Sequence, residues 1–140
     1  MNETTRHHAK VVWQGDKNDL RAHEVELAGQ TLAGSCSAHW GGDPRKADPE
    51  ELFVASLSAC HMLWFLDFAR RARHRVLSYE DEPEGMLDGS RLTEVVLRPR
   101  AVFEDDISED AIRLLHAQAH EACFIANSVN CTVKVEPRLQ

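Results

Sequence analysis

A chain of 140 residues is long enough for one well-filled core and short for a division into several domains. With 43% hydrophobic and 28% charged residues, its composition is that of an ordinary globular protein and not of a disordered one. The formal charge of −7 speaks against non-specific nucleic-acid binding, which depends on lysine and arginine neutralising phosphates.

Residues 1–10 are polar, with no apolar segment of a signal peptide behind them. The uncharged run over residues 52–66 is shorter than the roughly 20 residues of a membrane-spanning helix. The expectation is a cytoplasmic protein with reduced thiols and no membrane or nucleic-acid partner. Residues 8–14, with Val11, Val12 and Trp13, read as a strand. Residues 21–27 alternate, His23, Val25 and Leu27 against Ala22, Glu24 and Glu26, and read as a half-exposed second strand. Ala28-Gly29-Gln30 is a turn signal leading to a third strand over 31–38, so a three-stranded meander is expected.

Gly41-Gly42-Asp43-Pro44 ends that sheet. Asp48 then suits a helix N-cap, Pro49 needs no amide partner, and Glu50 and Glu51 favour the positive end of the helix dipole. The helix is expected to reach about residue 73. Between 52 and 66 it is apolar almost all round, which calls for burial on nearly every side. One small sheet-and-helix layer cannot supply that, so a second subunit is expected. Residues 76–86 and 91–103 read as two longer strands about the turn Asp88-Gly89-Ser90. Ser108 caps a second helix over 109–122 with Ile112, Leu115 and Ala119 on one face, and residues 129–135 form a closing strand. The order βββ-α-ββ-α-β is α+β, a single domain over residues 1–140.

The four cysteines, 36, 60, 123 and 131, have neither the close pairing of a zinc ribbon nor the setting of a disulfide scaffold. Cys60 stands in the apolar helix and Cys123 near the end of the second. A reactive thiol must ionise, and Cys60 is about three turns in, too deep for the helix dipole to help much. An arginine from elsewhere is required, with Arg21 and Arg45 as the two plausible donors. Glu50 could hold that arginine in a two-bond fork. The duller reading makes Cys60 a packed core residue. His116, His120 and Cys123 share a helix face and form an alternative three-ligand zinc arrangement. A third possibility is a small-molecule-binding module without turnover. Cys36 and Cys131 read as packing, with Cys131 near enough in sequence to stand in for Cys123. The acidic groups at 81, 82, 84, 105 and 106 read as solvated or capping.

The run Asp48-Pro49-Glu50-Glu51-Leu52-Phe53, followed by Ala55 and Ser58-Ala59-Cys60-His61, resembles the signature of the OsmC/Ohr family of thiol-dependent hydroperoxide reductases. The element order and a second cysteine late in the last helix resemble it too. The resemblance implies an intertwined homodimer with antiparallel sheets wrapped around two central helices. It implies a peroxidatic Cys60, a resolving Cys123 and a carboxylate at Glu50. The family arginine falls on Arg21 in one branch and on Arg45 in another, and Arg21 is the expectation. The implied reaction reduces organic hydroperoxides, with a dithiol such as a lipoyl group as reductant and no cofactor or metal. Where well-studied members carry Cys-Pro-x-Ser, this chain has Cys123-Phe124-Ile125-Ala126, a departure that bears on disulfide formation.

Overall fold

Alternating side chains in the first fifty residues build a meander. The structure, a computed structural model, describes residues 3–139, in two compact units, Met1–Leu52 and Phe53–Gln140. In the first, β1 (Lys10–Trp13), β2 (His23–Leu27) and β3 (Gln30–Gly34) pair antiparallel in the order β1-β2-β3. Leu27 pairs with Gln30, which leaves a two-residue hairpin loop. Ala28 and Gly29 both take left-handed φ, 52° and 77°, the twist-matched turn that such hairpins favour. Gly29 meets that geometry without strain, whereas Ala28 carries a Cβ into it. Val25, central in β2, is buried.

The third strand stops at Gly34, four residues before the expected end. The chain there folds back on itself, with Ser35 N–H donating to Ala47 and Ala47 N–H to Ala33. A turn of 3-10 helix over Ala38–Trp40 follows. The helix start is a reciprocal cap. Glu51 N–H donates to the Asp48 carboxylate at 2.7 Å, and Asp48 N–H to the Glu51 carboxylate at 2.9 Å.

Helix α1 (Pro49–Arg71) ends two residues short of the expectation, for a visible reason. Arg73 takes a left-handed φ of 65°. His74 N–H then reaches Ala69 and Arg73 N–H reaches Arg70, a Schellman stop with arginine where glycine is usual. Within the second unit α1 buries Val54, Leu57, His61, Phe65 and Ala69, a single stripe at helical spacing. The expected burial on nearly every side is not found within this chain, and Leu63 is 63% exposed.

The two long strands expected over 76–86 and 91–103 are four strands. β4 (Val76–Glu80) pairs antiparallel with β7 (Arg100–Phe103). β5 (Glu84–Asp88) pairs with β6 (Arg91–Leu97) in a different sheet. Pro83 and Pro99 fall in the two breaks, where a missing amide interrupts any ladder. One carboxylate ties the breaks together: Asp81 accepts from Arg98 N–H at 2.7 Å and from the Ser58 hydroxyl at 2.6 Å. Asp81 is thus a structural clamp, neither a solvated acid nor an acid–base group.

Helix α2 (Glu109–Ala122) starts at Ser108, whose hydroxyl accepts from Ala111 N–H at 3.1 Å. Another 3-10 turn, Ala126–Ser128, leads to β8 (Thr132–Val135), which runs parallel to β6 and completes the order β5-β6-β8. One core gathers Val54, Leu57, Val95 and Leu97, and the other Phe65, Ala69, Leu115 and Ala119. Side chains such as Leu57 and Phe65 contribute about 1.5–3 kcal/mol each by leaving water. Gly85 lets α1 lie close to β5, because a Cβ there would stand 2.6 Å from a methyl of Val54.

Candidate functional site

Helical spacing sets the surroundings of Cys60. Leu63, Trp64 and Asp67 follow it on one face of α1, and with Phe124 they line an open, mainly apolar cleft of about 330 Å³. Trp64 meets Phe124 edge-on with ring centroids 5.3 Å apart, and Phe68 at 5.6 Å. Asp67 is neutralised by Arg70 at 2.8 Å and Arg71 at 2.7 Å. The cleft therefore offers aromatic and aliphatic surface, with its one acid already paired.

Cys123 caps the end of α2 in extended backbone, and only 1% of it is exposed. Its thiol lies near enough to that of Cys60 for Cys60 to bear on its ionisation. Burial raises the Cys123 pKa, and the neighbouring Cys60 raises it further, while the Ala126 N–H, 3.4 Å from Sγ, works the other way. All four cysteines are free thiols. Phe124, which follows Cys123, lines the cleft with its ring against Trp64.

Arg21 and Glu50 belong to the first unit. The Arg21 guanidinium lies against Gly41, 3.1 Å from where a Cβ would stand, and makes no ion pair among the described residues. Arg45 is engaged in a two-bond fork with Asp43, at 3.0 and 2.9 Å, which holds the Asp43 carboxyl down at about 2. Of the two acids opening α1, Glu51 is committed to the cap, and Glu50 has no ion pair among the described residues. The structure thus brings Cys60 and Cys123 together and leaves Arg21 and Glu50 uncommitted.

The three-ligand zinc arrangement does not form: no cluster of potential metal ligands exists among the described residues. His116 is buried, and its Nδ1 lies 3.0 Å from Nε2 of His61. The two rings stack, as do His116 and Phe65 at 4.2 Å. Burial lowers His61 to about 4, with His120 adding to the effect, and lowers His116 to about 3, with His61 adding. Nδ1 of His61 and Nε2 of His116 have no partner. Sequence reasoning missed this pair, although the signal was present. His116 completes the spacing Ile112-Leu115-His116-Ala119, and His61 falls on the stripe Leu57-His61-Phe65.

Small sheets packed on one stripe of an apolar helix, with two cysteines as neighbours beside an apolar cleft, define a class of small α+β proteins. The profile of the OsmC-like protein family matches residues 41–138, and the chain belongs to that family. An OsmC-like protein of unknown function from Vibrio cholerae is 36% identical, with 96% of this chain and 100% of that one covered and a TM-score of 0.87. The organic hydroperoxide resistance protein OhrB of Bacillus subtilis shares the fold at 23% identity, with 94% and 98% covered and a TM-score of 0.65. The uncharacterized protein YmaD of the same species is 21% identical over 134 residues, 91% of this chain and 88% of its own.

Proposed function

We propose that this protein is a two-cysteine peroxidase that reduces organic hydroperoxides in the cytoplasm, with residues 1–140 acting as one domain. The observation that carries the reading is that two cysteines far apart in sequence lie near enough for Cys60 to shift the ionisation of Cys123, beside an apolar cleft. The Cys60 thiolate attacks the distal peroxide oxygen, the O–O bond breaks, and the alkoxide leaves as alcohol after taking a proton. Cys60 is then a sulfenic acid. Attack by Cys123 sulfur forms the disulfide and releases water, and exchange with an external dithiol, a lipoyl group among the candidates, restores both thiols. The apolar lining by Leu63, Trp64 and Phe124 favours an organic tail over hydrogen peroxide.

Arg21 is assigned to stabilise the thiolate and the departing oxygen, with Glu50 to orient it. Support comes from Arg45 being held by Asp43 and Glu51 by the cap. The working form is a homodimer built on α1. By length and composition that helix could cross a bilayer, yet 28% of its apolar stretch is buried within the chain, and a second copy covers the remainder in this reading. The test is consumption of cumene hydroperoxide with a dithiol reductant, beside Cys60→Ser. Dithiol-dependent turnover lost in the variant supports the reading. Equal rates in both proteins refute it and leave a binding module.

A further inference from the structure

Cys60, Leu63, Trp64 and Asp67 of the cleft lining all come from α1, and Phe124 alone comes from elsewhere in the chain. Phe124 is 67% exposed and Leu63 63%, so two large apolar side chains lie open beside a thiol. The Phe124 ring belongs to neither core, and its backbone is held without it. Ser128 Oγ–H donates to the Phe124 carbonyl at 2.7 Å, and Asn127 N–H to that of Cys123 at 3.0 Å. Trp64 and Phe124 meet with centroids 5.3 Å apart and planes at 88°, so the two rings form a right-angled corner in the lining. Aromatic faces are electron-rich and edges electron-poor, and rings attract in offset-stacked and edge-on arrangements. A third flat ring in such a corner stacks on one plane and meets the other edge-on. A saturated ring of equal bulk gains the apolar contact alone. Asp67, the one acid of the cleft, is bound by Arg70 and Arg71, which leaves no free charge in the lining for an ionic head group.

We propose that the Trp64–Phe124 corner makes Cys60 selective for hydroperoxides whose organic group is an aromatic ring, with Phe124 as the specificity-determining residue. The inference rests on hydroperoxide reduction as the reaction at Cys60, and narrows its substrates from organic hydroperoxides in general to arylalkyl ones. The ring of the substrate sits in the corner and brings its hydroperoxy group to Cys60. Sulfur bonds to the distal oxygen, the O–O bond breaks, and the arylalkyl alkoxide leaves as the alcohol after taking a proton; sulfur is oxidised and the peroxide reduced. Trp64, stacked on Phe68 at 5.6 Å and packed against a core, is the fixed plane of the corner. Phe124 is the plane that can be replaced without disturbing either core.

Two measurements on the whole protein, in wild type, Phe124→Tyr and Phe124→Leu, form the test. The first compares kcat/KM for cumene hydroperoxide with that for p-menthane hydroperoxide, a saturated ring of similar bulk. The second needs no peroxide: it compares the alkylation rates of Cys60 by N-benzylmaleimide and N-(cyclohexylmethyl)maleimide, each relative to a free thiol, with the site fixed by peptide mapping. Both should favour the aromatic reagent by about fivefold in wild type and Phe124→Tyr, with the ratio falling to about one in Phe124→Leu. A wild-type alkylation ratio near one would overturn the proposal, and is the result if side chains of a second copy fill the corner. So would a ratio unchanged in Phe124→Leu, or one lost equally in Phe124→Tyr and Phe124→Leu. An alkylation preference that depends on the Phe124 ring, with neither hydroperoxide consumed, would refute hydroperoxide reduction and support the aromatic corner.

Discussion

Acidification should destabilise this fold well before its carboxylates are protonated, because of the His61–His116 pair. Both imidazoles are held neutral in the folded state, at about 4 and about 3, against 6.5 for the free side chain. The unfolded chain therefore takes up two protons that the folded chain refuses. The pair's contribution is complete above the unfolded value and is lost as the pH falls from 6.5 toward 4. At about pH 5 each histidine lies about 1.5 units below its unfolded value, worth about 2 kcal/mol, or about 4 kcal/mol for the pair. That is a large share of the roughly 5–15 kcal/mol that holds a domain together. Urea unfolding at about pH 8 and about pH 5, at one protein concentration, measures the loss. The double variant His61→Leu with His116→Phe removes both titrating groups and keeps a ring against Phe65, so it should show little of the dependence. A wild-type loss below about 1 kcal/mol, or an equal loss in both proteins, would refute the argument.

One equivalent of organic hydroperoxide should yield a Cys60–Cys123 disulfide within a subunit, seen as a linked peptide pair after non-reducing digestion; a sulfinylated Cys60 beside a free Cys123 would make it a one-cysteine enzyme. Arg21→Ala and Glu50→Ala should each slow the reaction of Cys60 with hydroperoxide, with strongly non-additive effects in the double variant. A wild-type rate in Arg21→Ala with an inactive Arg45→Ala would transfer the role to Arg45. Sedimentation should show a dimer at micromolar concentration, and a stable folded monomer would remove the reason for the apolar outer faces of α1.

Local chemistry was the legible part of this chain. Asp48 and Pro49 announced the start of α1, Ser108 that of α2, and Ala28-Gly29 the hairpin, because caps and tight turns are set by the few residues that make them. The meander followed from alternation, and the neighbourhood of Cys60 from helical spacing. What escaped was decided by distant partners. Asp81 gathers Arg98 and Ser58, far apart in sequence, and so fixes where two apparent long strands divide. The proline in each break was readable, but the change of sheet was not. His116 looked like a ligand because it was read with His120 and Cys123. Its apolar neighbours Leu115 and Ala119 placed it in the core, against a histidine from the other helix.

The parallel pairing of β6 with β8 has a bearing on synthesis. Val95, Val96 and Leu97 are among the best-hidden residues of the chain, and their strand is flanked by β5 on one side and Thr132–Val135 on the other. Beyond the ladder, Glu136 N–H and Arg138 N–H tie to Leu97 and Pro99. Until the ribosome has delivered β8, the β5–β6 hairpin carries an open, strongly apolar edge, the kind of template on which nascent chains associate wrongly. The residues that close that edge are made last among the strands. A premature stop before Thr132 would thus yield a chain that keeps both proposed redox cysteines and is prone to aggregate.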